Sequence, residues 1–349
     1  MTELGTAVVA DDYDYDRKRL RAKLATVPQE PGSAKPQPIL SVDHIVRRFG
    51  GVTAVDVDHL EVQRGAITAL IGPNGAGKTT FFNLITGFDR PTSAKPRFGS
   101  ADGDSAGWRF QDRTLTSTSA FRVAQAGMVR TFQLTKALSR MTVMDNMLLG
   151  AQDQPGERFL SALIRPLWKR REQEIRVKAE ELLGRFKLDG KRDDYAGSLS
   201  GGQRKLLEMA RALMSDPAMI MLDEPMAGVN PALTQSLLGH IEALRDQGTT
   251  VLFVEHDMHM VRHISDWVVV MAEGRIVAEG PPATVMRHQA VVDAYLGSHH
   301  DQDLGDDAVL EEDFGAAVAA EEAARADESE AAEPADVRSV DAAPVEGER

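Results

Sequence analysis

A nine-residue segment has residue types and spacing that suit phosphate chemistry. Its members are Gly72, Pro73, Asn74, Gly75, Ala76, Gly77, Lys78, Thr79 and Thr80. The segment fits G-x-x-x-x-G-K-[ST] and lies between a predicted strand and a predicted helix. Its glycines let backbone N–H groups surround phosphate oxygens without Cβ clashes, and the helix N-terminus adds partial positive charge. Lys78 supplies a charge to β- and γ-phosphates and Thr79 a hydroxyl to Mg²⁺, so we expect a nucleoside triphosphate here.

Two adjacent carboxylates follow an apolar stretch further along the chain. Met219–Leu222 is a predicted buried strand, and Asp223 and Glu224 come directly after it. A carboxylate at the carboxyl edge of such a strand can hold Mg²⁺ beside a phosphate-binding loop, a role that we predict for Asp223. Glu224 is then placed to polarise an attacking water. Alone the pair is an acidic turn, but with the upstream loop it indicates nucleotide hydrolysis.

A third segment begins an amphipathic helix. It consists of Ser200, Gly201, Gly202 and Gln203, preceded by Leu199. Ser200 can cap the helix, and the two glycines allow close approach of the backbone to an anion. The alternative interpretation is an ordinary cap followed by a helix.

These three segments, GPNGAGKTT, LSGGQ and MLDEP, resemble in that order the ATP-binding cassette (ABC) family. The resemblance covers residues 39–297. It implies an α/β fold, a P-loop ATPase core with a mainly parallel sheet, an antiparallel β-subdomain and a helical subdomain at about 135–200. It also implies that Ser200 to Gln203 contact ATP bound to an opposite protomer, so that two subunits close over two ATP molecules.

The resemblance assigns further roles to single residues. Phe49, 29 residues before Lys78, matches an aromatic that stacks on adenine, although a core Phe at a strand end is the alternative. Gln133 matches a glutamine whose amide reaches Mg²⁺ and the attacking water. His256 matches a histidine that senses the γ-phosphate. Asn230 stands where the family commonly has Asp, so a charged role there is not expected.

Charge is distributed unevenly along the 349 residues. The formal net charge is −13, but residues 301–349 alone hold 17 acidic and 3 basic side chains. The rest of the chain is nearly neutral, which argues against a nucleic-acid partner. The chain has no cysteine, which excludes thiolate metal sites and a cysteine nucleophile. It shows neither a signal peptide nor an apolar run long enough to span a bilayer, so a cytoplasmic location is expected, with membrane attachment through a partner.

Composition divides the chain into three parts. Residues 1–38 mix charge, proline and glycine, and we expect a disordered extension with at most a short helix over Arg17–Ala25. Residues 39–297 alternate strand and helix patterns, which is typical of an α/β core. Residues 298–349 are rich in Ala and Glu with few large apolar side chains, and are expected to form a disordered acidic tail.

Within the ABC family, VRTFQ, LDEPMAGVNP and EHDM resemble the ATPase of branched-chain amino acid importers. This resemblance implies a second ATPase subunit, identical or homologous, two membrane permease subunits and, indirectly, a substrate-binding protein. Urea uptake, uptake of another solute and lipopolysaccharide export are alternatives. A soluble ABC ATPase and a catalytically inactive regulatory module are also considered. The single cassette argues against the former, and intact Lys78, Asp223 and Glu224 argue against the latter.

A subunit without a membrane span needs a docking surface for its permease. In the ABC family that surface follows the conserved glutamine, which points to residues 134–149 here. The apolar candidates for its lining are Leu138, Met141, Met144, Met147 and Leu148. The alternative is that some of these residues belong to the core of the helical subdomain.

Overall fold

Two β-sheets organise the chain. The computed structural model describes residues 16–92, 107–131, 138–152, 165–229 and 231–297. Its strands, in chain order, are β1 (Pro38–Phe49), β2 (Val52–Gln63), β3 (Ile67–Ile71), β4 (Gly107–Phe110), β5 (Arg113–Thr114), β6 (Met128–Arg130), β7 (Met219–Asp223), β8 (Thr250–Val254), β9 (Trp267–Ala272) and β10 (Arg275–Gly280).

Helices surround these strands. In chain order the described α-helices are α1 (Arg17–Ala25), α2 (Lys78–Ile85), α3 (Ala120–Gln125), α4 (Val143–Leu148), α5 (Arg165–Arg185), α6 (Gly201–Leu213), α7 (Pro231–Asp246), α8 (Met258–Ile264), α9 (Pro282–Val285) and α10 (Gln289–Gly297). Two short 3₁₀ turns, Asp189–Lys191 and Ala196–Ser198, lie between α5 and α6. No helix in the described ranges is both long and apolar enough to cross a bilayer.

The larger sheet has the order β10-β9-β3-β8-β7-β6. From β9 to β6 the paired neighbours are parallel, and β10 runs antiparallel to β9 at one edge. Strands β3, β7 and β8 are buried along their whole length, as expected when both faces of a parallel sheet are covered. The predicted α/β core with a mainly parallel sheet is confirmed.

The smaller sheet has the order β2-β1-β4-β5, and all its paired neighbours are antiparallel. Strands β1 and β2 form a hairpin in which Phe49 faces Val52 across Gly50 and Gly51. Gly50 has a φ of 57°, the left-handed conformation that such tight turns require and that glycine adopts without strain. The expected antiparallel β-subdomain is therefore present.

Buried side chains form two clusters on the two faces of the larger sheet. One contains Ile67, Ile71, Leu222 and Phe253 together with apolar residues of α4, α5, α6 and α7. The other contains Leu70, Met221, Val254 and residues of the smaller sheet, α1 and α2. The helical segment near residues 135–200 thus shares one apolar core with the larger sheet, while its boundaries stay a prediction.

The N-terminal extension differs from the expected disorder. From Asp16 onward it is ordered, with a helix over Arg17–Ala25 whose Leu20 and Leu24 are buried in the second cluster. Arg17 and Arg21 both donate to Oδ1 of Asp266, at 3.0 and 2.8 Å. The expectation of disorder over residues 1–38 is wrong for residues 16–38, because contacts with distant residues hold them. Residues 1–15 and the predicted tail at 298–349 lie outside the described residues.

Candidate nucleotide-binding site

The loop over residues 72–77 connects β3 to α2, and two of its glycines have no room for a side chain. Gly72 has a φ of 149°, and a Cβ there would lie 2.0 Å from the carbonyl oxygen of Met271. Gly77 has a φ of 98°, and its Cβ would lie 2.3 Å from the carbonyl oxygen of Ala54. The loop backbone is therefore packed directly onto two neighbouring strands. A larger residue at either position would push the loop outward.

Helix α2 begins at the end of this loop and presents its first N–H groups there. Its N-cap is Gly77, which makes no side-chain capping hydrogen bond. The first four N–H groups of a helix have no intrahelical partner, so those of α2 can serve an anion. Gly75 and Thr79 are exposed on the same segment, whereas Ala76 is buried. The predicted phosphate cradle thus has the donor set that phosphate oxygens require.

The ammonium of Lys78 contacts the first two residues of the loop. Its Nζ donates to the carbonyl oxygens of Gly72 (2.5 Å) and Pro73 (2.9 Å). Burial lowers the pKa of Lys78, and the negative charges of Glu224 and then Asp223 oppose that shift. The two carboxylates therefore lie within electrostatic range of the ammonium.

Sheet topology explains why segments far apart in the sequence meet. Strands β3, β8 and β7 are parallel neighbours, so their carboxyl ends lie at the same edge of the sheet. The loop at 72–77 follows β3, His256 comes shortly after β8, and Asp223 is the last residue of β7. The carboxyl edge of a parallel sheet is where α/β proteins bind their ligands.

Asp223 is 5% exposed and is paired with a buried cation. Nη2 of Arg130 donates to its Oδ2 at 2.6 Å, while Nη1 of the same guanidinium donates to Oδ1 of Asn83 at 2.6 Å. Arg130 thereby joins the end of β6 to helix α2 and to β7. Arg130 was not among the residues predicted from the sequence, although its place as the second residue of VRTFQ was a usable signal.

Glu224 has an unusual backbone for a residue other than glycine. Its φ is 46°, in the left-handed region, and its N–H donates to the carbonyl oxygen of Val254 at 3.0 Å. Such a conformation costs on the order of 1 kcal/mol and persists only when the surroundings enforce it. The turn directs the chain away from β7 immediately after Asp223, and the half-buried Glu224 side chain lies at this turn.

His256 lies at the surface, with 69% of its side chain exposed. Its backbone N–H donates to Oε2 of Glu255 at 3.3 Å, and Oε1 of Glu255 accepts from the N–H of Met226 at 3.0 Å. Glu255 is 2% exposed, and burial raises its pKa. The sequence analysis did not select Glu255, which connects the position of His256 to the segment after Glu224.

Ser200 and Gln203 form a complete capping box at the start of α6. Oγ of Ser200 accepts from the N–H of Gln203 at 3.2 Å, and Oε1 of Gln203 accepts from the N–H of Ser200 at 3.0 Å. Ser200 and Gly201 are exposed, while a Cβ on Gly202 would lie 1.9 Å from Cδ2 of Leu233. The capping interpretation is thus realised, and the exposed turn is a surface that another molecule can reach.

Phe49 is 50% exposed, so it is not the core residue of the alternative interpretation. The guanidinium of Arg47 lies 4.3 Å from the centre of its ring and also donates to Oδ2 of Asp89 at 2.9 Å. An exposed aromatic ring can stack on a flat base. Gln133 and Asn230, in contrast, lie outside the described residues.

Side chains of this site also suit magnesium. Carboxylate and hydroxyl oxygens are ligands that Mg²⁺ prefers, and it is usually held by one or two carboxylates together with substrate phosphates. Asp223 and Thr79 provide those oxygens. Among the described residues there is no cluster of three or more His, Cys, Asp or Glu able to hold a metal.

Family models match parts of this chain, and known relatives match about three-quarters of its length. A family model described as "ABC transporter" matches residues 55–227, and one described as "Branched-chain amino acid ATP-binding cassette transporter" matches residues 275–301. A probable branched-chain amino acid transport ATP-binding protein, LivG of Archaeoglobus fulgidus, is 38% identical over 260 residues, which is 74% of this chain and 96% of the relative. The high-affinity branched-chain amino acid transport ATP-binding protein BraF of Pseudomonas aeruginosa is 38% identical over 263 residues, 75% of this chain and 98% of the relative.

Solved structures of ATP-binding cassettes from ABC transporters are also similar to this chain. The ADP conformation of an ATP-binding cassette of an ABC transporter is 38% identical with a TM-score of 0.62, and the match covers 75% of this chain and 99% of that one. A nucleotide-free cassette is 37% identical with the same TM-score, and covers 74% of this chain and 99% of that one.

Proposed function

Because the chain belongs to the family of ABC transporter ATP-binding proteins, we propose that it is the ATP-hydrolysing subunit of a branched-chain amino acid importer. The relatives named above carry that transport activity in their names. The match at residues 275–301 to a model of branched-chain amino acid cassettes supports the same choice over urea uptake or lipopolysaccharide export.

The observation that carries the ATPase assignment is the meeting of three segments at one edge of the larger sheet. Lys78 at the glycine loop experiences the charges of Asp223 and Glu224, and β8 places His256 at the neighbouring position. Phosphoryl transfer to water uses three such groups: a cation that binds phosphate, a carboxylate that binds the metal and a second carboxylate that polarises the water.

Each residue then has a proposed task. Backbone N–H groups of the loop and Lys78 bind the β- and γ-phosphates. Glu224 orients and polarises the attacking water, with Gln133 and His256 beside the γ-phosphate. Phe49 stacks on the adenine. The loop residues assigned to ATP are Gly72, Pro73, Asn74, Gly75, Ala76, Gly77, Lys78, Thr79 and Thr80.

Magnesium would be held by Thr79, Asp223 and Gln133. When bound, it neutralises negative charge on the phosphates. Nη2 of Arg130 donates to Oδ2 of Asp223 and so restrains this carboxylate.

The partners are proposed from the same family. Ser200, Gly201, Gly202 and Gln203 complete the ATP site of a second ATPase subunit, identical or homologous. Two permease subunits hold the pair at the inner face of the cell membrane, and a substrate-binding protein delivers the solute to them. Contacts to the γ-phosphate stabilise the closed pair, and the pair opens after hydrolysis removes these contacts.

Two substitutions test the catalytic assignment. Lys78→Ala should remove most ATP hydrolysis by weakening phosphate binding. Glu224→Gln should preserve ATP binding and trap a closed dimer, because the water-polarising group alone is lost. Phosphate release, ATP affinity and dimer mass are the measurements. Hydrolysis at the parent rate by Glu224→Gln would show that the catalytic assignment is wrong.

A second experiment tests the solute. Cells lacking this chain should lose uptake of labelled leucine, isoleucine and valine, and the parent gene should restore it, whereas Glu224→Gln should not. Labelled urea serves as the comparison solute. Loss of urea uptake with normal leucine uptake would favour the alternative importer.

A further inference from the structure

The turn that carries Glu224 is held by charged side chains from two other elements. Nζ of Lys205, on helix α6, donates to the carbonyl oxygens of Glu224 (3.1 Å) and Pro225 (3.0 Å). Oε1 of Glu255, after strand β8, accepts from the N–H of Met226 at 3.0 Å. Two consecutive peptide units, 224–225 and 225–226, therefore have partners on other elements.

Strain makes these partners important for the conformation of the turn. Glu224 occupies the left-handed region, which the surroundings must enforce. Its N–H donates to the carbonyl oxygen of Val254, at the end of β8. Its own carbonyl oxygen accepts from Nζ of Lys205 at 3.1 Å and, within the turn, from the N–H of Ala227 at 3.2 Å. Hydrogen bonds from an ammonium are stronger than those between neutral groups, so Lys205 is a major restraint on the carbonyl side.

Lys205 is also suited to this position by its surroundings. It is half-buried, and it faces the negative charges of Glu255, Glu208 and Glu224. Burial lowers the pKa of Lys205, and these negative charges offset part of that effect. Lys205 lies five residues after Ser200, so the helix that begins with the exposed Ser200 turn also reaches the backbone of Glu224.

We propose that Lys205 is a positioning residue for ATP hydrolysis, which fixes the left-handed turn and thereby aims the carboxylate of Glu224. The proposal rests on the proposed role of Glu224. Without Lys205 the turn can relax toward ordinary backbone angles, which would move the carboxylate from the attacking water. Binding of ATP at the glycine loop does not use Lys205, so the effect belongs to the chemical step.

The test compares Lys205→Met, which keeps the side-chain length and removes the ammonium, with Lys205→Arg, which keeps the charge. Lys178→Met is the matched control, because Nζ of Lys178 also donates to a backbone carbonyl, that of Met214 at 3.0 Å. We expect Lys205→Met to lower kcat by on the order of 10- to 100-fold, the usual cost of a small misplacement. KM and the Kd for ATP should stay within about twofold of the parent values, as expected for an interaction that acts only in the transition state.

Lys205→Arg should recover part of the lost kcat, and Lys178→Met should equal the parent. In a Glu224→Gln background, Lys205→Met should cause no further loss of the residual single-turnover rate, because residues that act as a unit are not additive. Thermal midpoints identify any variant that does not fold. Lys205→Gln, which keeps an N–H donor without the charge, replaces the Met variant in that case and should also lower kcat.

A parent-like kcat in the Met or Gln variant would overturn the proposal, as would an equal loss in ATP affinity. A further loss of the same size in the Glu224→Gln background would also overturn it. A parent-like rate in Glu224→Gln would overturn the assignment of Glu224 together with this proposal. An inactive Glu224→Gln beside a fully active Lys205→Met would overturn this proposal alone.

Discussion

Asp223 illustrates how a single buried residue serves both stability and the site. Its side chain is 3% exposed and that of Arg130 is 5% exposed, and they meet at 2.6 Å. A buried carboxylate needs a cation or hydrogen-bond donors, and here the same guanidinium also anchors Asn83 of helix α2. The pair thus holds the proposed metal ligand in a fixed place relative to the helix that follows the phosphate loop.

Arg130→Met tests this function of the pair. Removing one partner of a buried ion pair leaves the other charge uncompensated, so the free energy of unfolding should fall by about 3 kcal/mol. Urea denaturation measures the loss. Arg275→Met is the control, since Arg275 is 69% exposed in its pair with Asp56, and should cost less than about 1 kcal/mol. Equal losses in the two variants would contradict a special role for Arg130.

Candidate site residues could be identified from the sequence where one continuous segment contains the motif. The glycine loop and the Asp223-Glu224 pair are of this kind, because spacing alone relates their members. Arg130, Lys205 and Glu255 were missed because their partners lie 93, 19 and 29 positions away. Their contacts depend on which strands become neighbours in the sheet, and a local sequence pattern does not predict strand order.

At the scale of elements, the packing of helix α1 shows the same limit, although the sequence did allow a short helix over Arg17–Ala25. Its composition is strongly basic and its neighbours are rich in proline and glycine, so the sequence favours disorder. Two arginines of α1 nevertheless reach Asp266, whose side chain is fully buried, and Nη1 of Arg17 also donates to Glu242 at 2.6 Å. The strand before the glycine loop and the helix after it, β3 and α2, were predictable because their signals are local.

The double substitution Arg17→Ala with Arg21→Ala should destabilise the protein. It removes both arginines from the buried carboxylate of Asp266, and we expect the free energy of unfolding to fall by about 3 kcal/mol. Chemical denaturation is the measurement. Arg19→Ala on the same helix is the control, because Arg19 is 71% exposed and its contact with Asp16 is 3.9 Å long. A double variant as stable as Arg19→Ala would show that the arginine contacts of α1 with Asp266 do not stabilise the fold.

A histidine connects strands β1 and β2 and makes their stability depend on pH. Nδ1 of His59 lies 2.6 Å from Oδ1 of Asp43, and Nε2 lies 3.5 Å from Oε1 of Glu61. The hydrogen bond with Asp43, and then that with Glu61, raises the pKa of His59 from 6.5 to about 9. Since the folded pKa is the higher one, the stabilisation is complete below pH 6.5 and is lost as pH rises through about 9.

His59→Gln should remove this dependence. The thermal midpoint of the parent should fall between pH 6.5 and about 9 more steeply than that of the variant, because the variant has no imidazolium to lose. The difference between the two proteins should therefore be largest at low pH and shrink at high pH. Parallel midpoint curves would contradict a charged His59 in the folded protein.

At the scale of the whole molecule, ATP hydrolysis must be coupled to a membrane partner through a contact surface. Residues 134–137 of the predicted docking segment lie outside the described ranges. The apolar side chains of residues 138–149 differ in exposure, and some are buried while others are exposed. Met144 and Met147 are 6% and 0% exposed and belong to the core, so their prediction as docking residues is wrong. Helix α4 turns these methionines inward against the apolar faces of α5 and α6. Met141 and Leu148 are partly buried.

Leu138 and Leu149 remain as exposed apolar side chains of this segment, at 38% and 56%. Leu138→Glu and Leu149→Glu should leave ATP binding and hydrolysis by the isolated chain unchanged, because neither residue contributes to the nucleotide site. Both should reduce co-purification with permease subunits and lower solute uptake, because a charge would be buried in the contact. Val177→Glu is the matched control, since Val177 is 47% exposed on α5, outside the segment. If uptake persists in both leucine variants, or falls equally in the control, the permease docks elsewhere.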